Sequence, residues 1–136
     1  MSDTALMIVD LQNDYFPDGK WPLVGIEPAA EQAAAVLVHF RERSLPVVHI
    51  RHEFPSAEAP FFAPGSEGAH IHATMAPRES GNESVVLKHS VNAFLGTDLH
   101  EHLQAQGIEK LVVVGAMSHM CIDAATRAAS DLGYQV

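Results

Sequence analysis

Two short apolar runs with few or no polar residues constrain the fold more than any other feature of this sequence. Residues 5–9 read ALMIV, and residues 110–115 read KLVVVG. A strand that is covered on both faces has no position for a polar side chain, so such runs are typical of parallel sheets in α/β proteins. Residues 46–50 (PVVHI) and 84–87 (SVVL) are also mostly apolar. We therefore predict four parallel strands in these segments, with residues 134–136 as the start of a fifth.

Helical patterns separate the predicted strands. Pro28 is expected to open a helix that continues to about Arg43, because proline at the first helical position loses no hydrogen bond. Thr97 is expected to cap a helix that ends near Gln106, and another helix is predicted at residues 120–132. Residues 51–83 are rich in proline and glycine and are predicted to be irregular. The alternation predicts a three-layer, Rossmann-like α/β fold: a doubly wound parallel sheet with helices on both faces.

Length, charge and cysteine content narrow the class of protein. The chain has 136 residues, a formal net charge of −9 and one cysteine. The acidic charge disfavours nucleic acid and anionic membrane surfaces as partners, and no apolar run approaches the ~20 residues of a membrane-spanning helix. A lone cysteine excludes an internal disulfide and suits a reducing cytoplasm. We expect one cytoplasmic domain over residues 1–136. Because the chain stops as a strand begins, we also expect that C-terminal residues are missing.

Three reactive side chains follow predicted strand ends. Asp10 follows the first strand, Lys88 follows the third, and Cys121 lies at the start of the last predicted helix. The carboxyl ends of parallel strands share one edge of the sheet, where ligands bind in open α/β folds. The helix N-terminus and Lys88 should lower the pKa of the Cys121 thiol, and Asp10 is a candidate base. Taken singly, the three residues also fit a turn-forming aspartate, a solvated lysine and a core cysteine.

Three blocks of this sequence contain the candidate residues: residues 5–16 (ALMIVDLQNDYF), residues 86–94 (VLKHSVNAF) and residues 111–127 (LVVVGAMSHMCIDAATR). They resemble, in this order, the opening block, the lysine block and the nucleophile block of the isochorismatase-like cysteine hydrolases. That family contains nicotinamidase and N-carbamoylsarcosine amidase. The resemblance implies a six-stranded parallel sheet, of which this chain would lack the C-terminal strand and helix.

The resemblance also implies roles for individual residues. Asp10, Lys88 and Cys121 would form a catalytic triad in which Asp10 takes the thiol proton and Cys121 attacks an amide-type carbonyl, giving a thioester. The backbone N–H groups of Met117 and Cys121 would hold the oxyanion, after a cis peptide bond between Ala116 and Met117. We therefore expect hydrolysis of a carbon–nitrogen bond in a small amide. Two alternatives remain open: a vinyl ether hydrolase of the isochorismatase type that uses Asp10 and Lys88 alone, and a non-catalytic binding or assembly subunit.

Cofactors and substrate contacts are less constrained by the sequence. No Gly-x-Gly-x-x-Gly motif follows the first strand, so no nucleotide cofactor is expected. Nicotinamidases hold a metal through an Asp-x-His pair after strand two, but residues 49–53 read HIRHE here, without the aspartate. A metal is not favoured; the alternative that stays open is zinc or iron near His52, held by two histidines and a carboxylate. Phe16, Trp21 and His119 flank predicted strand ends and are candidates for binding the substrate. The expected partners are a small-molecule amide and further copies of the chain in a homo-oligomer, because members of the family commonly form dimers or tetramers.

Overall fold

The computed structural model describes residues 3–79 and 82–136 and contains a parallel four-stranded sheet. The strands are β1 (Thr4–Val9), β2 (Val47–His52), β3 (Glu83–Lys88) and β4 (Lys110–Gly115). Their order is β3-β2-β1-β4, and all three pairings are parallel. β1 and β4 are therefore adjacent, as predicted. β2 and β3 lie on one side of β1 and β4 lies on the other, so the strand order reverses between β1 and β4. Residues 1–2, and residues 80–81 of the segment predicted to be irregular, lie outside the described residues.

Helices cover both faces of the sheet, as predicted. Helix α1 (Ile26–Glu42) lies on one face, and α2 (Leu99–Ala105) and α3 (Asp123–Asp131) lie on the other. Successive side chains of a strand point to opposite faces, so β1 contributes Leu6 and Ile8 to the α1 layer and Met7 and Val9 to the second layer. This two-sided burial is the physical reason for the uninterrupted apolar run of β1.

Two helix boundaries differ from the prediction. Helix α1 begins at Ile26, so the expectation that Pro28 opens it was wrong by two residues. Pro28 still lies in the first turn, where the backbone N–H has no partner within the helix and its loss costs nothing. The helix predicted at residues 120–132 is a π-helical turn, Ser118–Ile122, followed by α3. The turn is thus wider than a regular α-helical start at the position of Cys121.

The predicted cap and the predicted fifth strand are both found in part. The Thr97 hydroxyl accepts a hydrogen bond from the Leu99 N–H at 3.4 Å, at the start of α2. Gln135 makes a parallel bridge with Lys110, and the Leu111 N–H donates to the Gln135 carbonyl at 2.8 Å. The chain therefore returns to the open side of β4 where a fifth strand was predicted. No described helix is long and apolar enough to cross a membrane.

Candidate active site

The structure gathers three reactive side chains at the carboxyl-terminal edge of the sheet. Asp10 follows β1 directly in a left-handed conformation (φ 56°), which aspartate tolerates better than most residues, and its N–H donates to the Ile50 carbonyl at 2.9 Å. Lys88 is the last residue of β3, and Cys121 lies in the π-helical turn after β4. Three different strands thus bring these side chains to one position in the fold.

The Lys88 ammonium lies between the carboxylate and the thiol. Its Nζ is 3.1 Å from Asp10 Oδ2 and 3.3 Å from Cys121 Sγ. Asp10 and Lys88 are 0% exposed, and Cys121 is 7% exposed. The alternative of a solvated Lys88 is therefore wrong, because a lysine is fully buried only where other groups compensate its charge.

Burial dominates the titration of this cluster. It raises the pKa of Asp10, and the charge of Lys88 opposes that effect. Burial, followed by the nearby Asp10 charge, raises the pKa of the Cys121 thiol to about 12, against the lowering effect of Lys88. The prediction of a lowered thiol pKa is thus wrong for the free protein, because it omitted the cost of moving a thiolate out of water beside a carboxylate. The free site holds a protonated thiol beside a carboxylate with a raised proton affinity.

The turn between β4 and Cys121 has the backbone that the family resemblance implied. The peptide bond between Ala116 and Met117 is cis, and the Ala116 N–H donates to the Val9 carbonyl at 3.0 Å. Within residues 3–79 and 82–136, no acceptor takes the Met117 N–H. Gly115 precedes this turn at φ 134°, and a Cβ atom there would lie 2.1 Å from the Val9 carbonyl oxygen. Only glycine allows β4 to approach the end of β1 this closely.

Replacing Gly115 by alanine is therefore expected to destabilise the protein and disorder the turn. The added methyl group would overlap rigid backbone of β1, and φ near 134° is essentially restricted to glycine. Gly96→Ala is the matched control, since Gly96 also has a positive φ (70°) but nothing lies within 4 Å of its Cβ position. Thermal unfolding should show a lower melting temperature for Gly115→Ala than for Gly96→Ala. Equal melting temperatures would contradict the close approach described above.

Two further side chains shape the site: His52, which the sequence placed at the pocket or in a turn without a catalytic role, and Tyr15, to which it gave no role. His52 ends β2, and its Nδ1 lies 2.9 Å from Lys88 Nζ. Tyr15 is 2% exposed, and burial together with the charges of Asp10 and Cys121 raises its pKa, so its hydroxyl is neutral. The rule that singled out Asp10 and Lys88 also applies to His52, which is another polar residue at a strand end.

Of the three residues predicted to bind substrate, Phe16 and Trp21 make no contact with this cluster, whereas His119 lies in the same π-helical turn as Cys121. The Phe16 ring stacks on His72 at 3.7 Å and lines a cavity of about 340 Å³ beside α1. Trp21 is 46% exposed and stacks on Phe61 at 4.9 Å. His119 is exposed and lines a groove of about 280 Å³ with the turn that contains Met117. No ring contact or hydrogen bond joins Phe16 or Trp21 to Asp10, Lys88 or Cys121 in the described part of the chain.

The histidines in β2 and in the segment after it do not fit a metal site. The Nδ1 atom of His52 faces an ammonium group, which a bound cation would have to displace. His49 is turned toward Glu83 at 2.9 Å, His70 pairs with Glu67 at 3.3 Å, and His72 stacks on Phe16. No three histidine, cysteine or acidic side chains converge as ligands among the residues described.

Comparison with known proteins shows which family this chain is similar to. Residues 4–136 match the family model of the isochorismatase domain. The isochorismatase family protein YddQ of Bacillus subtilis is 49% identical over 131 residues, covering 96% of this chain and 72% of YddQ.

Two solved structures carry the same fold. A crystal structure from Oleispira antarctica, classed as an isochorismatase hydrolase, is 60% identical with a TM-score of 0.91, covering 96% of this chain and 70% of that one. N-carbamoylsarcosine amidase from Thermoplasma acidophilum is 26% identical with a TM-score of 0.87, covering 96% and 78%. The present chain thus spans between 70% and 78% of the length of these three proteins.

Proposed function

We propose that this chain, which belongs to the isochorismatase family of hydrolases, is a cysteine hydrolase that cleaves the carbon–nitrogen bond of a small amide through a thioester on Cys121. The observation that carries the proposal is the buried Lys88 ammonium, which contacts both the Asp10 carboxylate and the Cys121 sulfur. A nucleophile, a base and a cation near the developing negative charge are the groups that nucleophilic catalysis requires.

The first half of the reaction forms the thioester. Asp10 takes the thiol proton, and the Cys121 sulfur forms a bond to the carbonyl carbon of the amide. The carbonyl oxygen becomes an oxyanion, for which the backbone N–H groups of Met117 and Cys121 are the proposed donors; the Met117 N–H has no acceptor among the described residues. When the oxyanion collapses, the carbon–nitrogen bond breaks and the leaving nitrogen takes the proton from Asp10.

The second half regenerates the enzyme. A water molecule replaces the released ammonia or amine. The water oxygen attacks the thioester carbon while Asp10 takes one of the water protons. The carbon–sulfur bond breaks, the carboxylic acid leaves, and Cys121 recovers its proton from Asp10. The raised pKa of Asp10 supports this shuttle, because a carboxylate with higher proton affinity is a stronger base.

Lys88 has an electrostatic role in this scheme. Its ammonium is 3.3 Å from the sulfur, so the thiolate forms beside a positive charge and not in an apolar cavity. The free thiol holds its proton strongly, with a pKa raised to about 12 by burial and by Asp10. We therefore infer that transfer of the proton to Asp10 is what makes the sulfur nucleophilic, because this transfer removes the carboxylate charge that opposes the thiolate.

The presence of a cysteine favours amide hydrolysis over the ether alternative. An isochorismatase-type vinyl ether hydrolase would use Asp10 and Lys88 and has no need of a thiol at position 121. The likeness to a solved N-carbamoylsarcosine amidase supports the same choice.

A substrate panel tests the proposal. The protein is incubated with primary amides, N-carbamoyl compounds and a vinyl ether, and ammonia, amine and carbonyl products are measured, with and without prior alkylation by iodoacetamide. We expect nitrogen release from at least one amide and its loss after Cys121 is alkylated. Turnover of the vinyl ether that survives complete alkylation would instead support the ether hydrolase.

A further inference from the structure

Lys88 has more neighbours than it has hydrogens to donate. An ammonium group carries three N–H donors. The Lys88 donors reach His52 Nδ1 at 2.9 Å, the Ser90 carbonyl at 3.0 Å and Cys121 Sγ at 3.3 Å. Asp10 Oδ2 is 3.1 Å from the same nitrogen and is the fourth acceptor around it. Four acceptors thus compete for three hydrogens, so the hydrogen that His52 takes is not available to the Asp10 carboxylate.

The contact with Lys88 determines the state of His52. An ammonium nitrogen cannot accept a hydrogen bond, so His52 Nδ1 must be the acceptor and carry no proton. The ring is therefore neutral, with its hydrogen on Nε2. Burial lowers the pKa of His52 to about 4, the charges of Lys88 and His89 add to this effect, and the Ser90 backbone opposes it.

The backbone of His52 is fixed from two sides by one buried side chain. Gln12 donates from its Nε2 to the His52 carbonyl at 2.8 Å and accepts from the His52 N–H at 2.8 Å. A second bond from Gln12 Nε2, to the Ala69 carbonyl at 2.7 Å, holds the glutamine itself. The ring of Phe54 packs edge-on against the imidazole at 4.5 Å. The lone pair of Nδ1 is thereby held at a constant place beside Lys88.

We propose that His52 is a positioning residue that takes one of the three Lys88 hydrogens and so limits hydrogen bonding from the ammonium to the Asp10 carboxylate. This inference rests on the proposed function, in which Asp10 is the base. A carboxylate that accepts an N–H from an ammonium holds a proton less strongly. Removing the His52 acceptor would release that hydrogen to Asp10, weaken the base and slow the activation of the Cys121 thiol.

Substitutions at position 52 separate this role from packing. In His52→Asn the amide oxygen can occupy the place of Nδ1, whereas in His52→Gln the amide extends to the place of Nε2. His52→Leu has no acceptor. His49→Leu is the matched control, because His49 is equally buried in the same strand and is bonded to Glu83 and not to the lysine.

The first readout is the rate at which iodoacetamide alkylates Cys121 at pH 7, with thermal unfolding measured in parallel. We expect His52→Leu and His52→Gln to slow alkylation about 10-fold, the equivalent of one pKa unit. His52→Asn and His49→Leu should stay within about 3-fold of the wild-type rate. Equal rates for the Asn and Gln variants, or a wild-type rate for His52→Leu, would overturn the inference.

The second readout does not depend on catalysis. Nitrogen-15 NMR of the histidine rings should show His52 at pH 7 as the neutral form with hydrogen on Nε2 and with Nδ1 as an acceptor. Lys88→Met should shift that Nδ1 resonance. A protonated ring, or hydrogen on Nδ1, would overturn the positioning role even if Cys121 is the nucleophile. A confirmed tautomer with an inert Cys121 would instead count against the proposed function.

Discussion

Replacing Cys121 by alanine is expected to lower amide hydrolysis by on the order of 10⁴-fold while the fold is retained. The side chain is small and belongs to the same buried apolar cluster as Ala125 and Ala129, so alanine fits with a modest loss of contacts. The proposed reaction, in contrast, has no covalent intermediate without the sulfur. The measurement is the rate of ammonia release, normalised to protein that unfolds cooperatively on heating.

Serine at position 121 serves as the companion variant. It keeps a hydrogen-bonding group of similar size, but its hydroxyl is a much weaker nucleophile than a thiol when no stronger base assists it. We expect Cys121→Ser to be nearly as inactive as the alanine variant. Turnover by Cys121→Ala within about 10-fold of the wild-type rate would exclude the thioester route and favour chemistry by Asp10 and Lys88 alone.

Replacing Lys88 by methionine is expected to remove activity and also to destabilise the fold by about 3–5 kcal/mol at pH 7. The substitution would leave the carboxylate of Asp10, which is 0% exposed, without its counter-charge. Burial already raises the pKa of Asp10, and loss of the lysine would raise it further. A group whose pKa is higher in the folded protein favours folding at low pH, so this penalty should shrink as the pH falls toward the ordinary range of a carboxyl group. Denaturant unfolding at pH 4.5 and pH 8 measures both effects.

The control for this variant is an exposed lysine. Lys110 lies 4.0 Å from Asp3, and both side chains are largely exposed, so Lys110→Met should change the unfolding free energy by less than about 1 kcal/mol. The double variant Lys88→Met with Asp10→Asn should recover part of the stability, because it removes the buried unpaired charge. If Lys88→Met cost no more than Lys110→Met, the buried ion pair described here would be wrong.

The sheet could be predicted from sequence because a strand that is buried on both faces is apolar at nearly every position. β1 is apolar at every position from Ala5 to Val9, since α1 covers one face and α2 and α3 cover the other. The same logic identified Asp10 and Lys88, as polar residues placed where strands end. The start of α1 was less predictable, because Pro28 is equally tolerated at any position of a first turn.

The electrostatics of the site could not be read from residue types. A cysteine near a helix start predicts a lowered pKa, yet burial and the charge of Asp10 raise the pKa of Cys121 to about 12. The pKa of Cys121 depends on how deeply the segments that carry Asp10, Lys88 and Cys121 bury one another. Spacing along the chain does not show this depth. The acceptor role of His52 was not predicted for a similar reason, since it requires knowing that Lys88 reaches across β2 to Asp10.

The proposed function requires that Cys121 becomes covalently acylated during turnover. Intact-mass measurement after rapid acid quench, with any amide that the substrate panel identifies, tests this directly. We expect a mass increase equal to the acyl group, located on the peptide that contains Cys121 and absent from Cys121→Ala. Sustained release of ammonia with no adduct on Cys121, together with comparable turnover by Cys121→Ala, would contradict it.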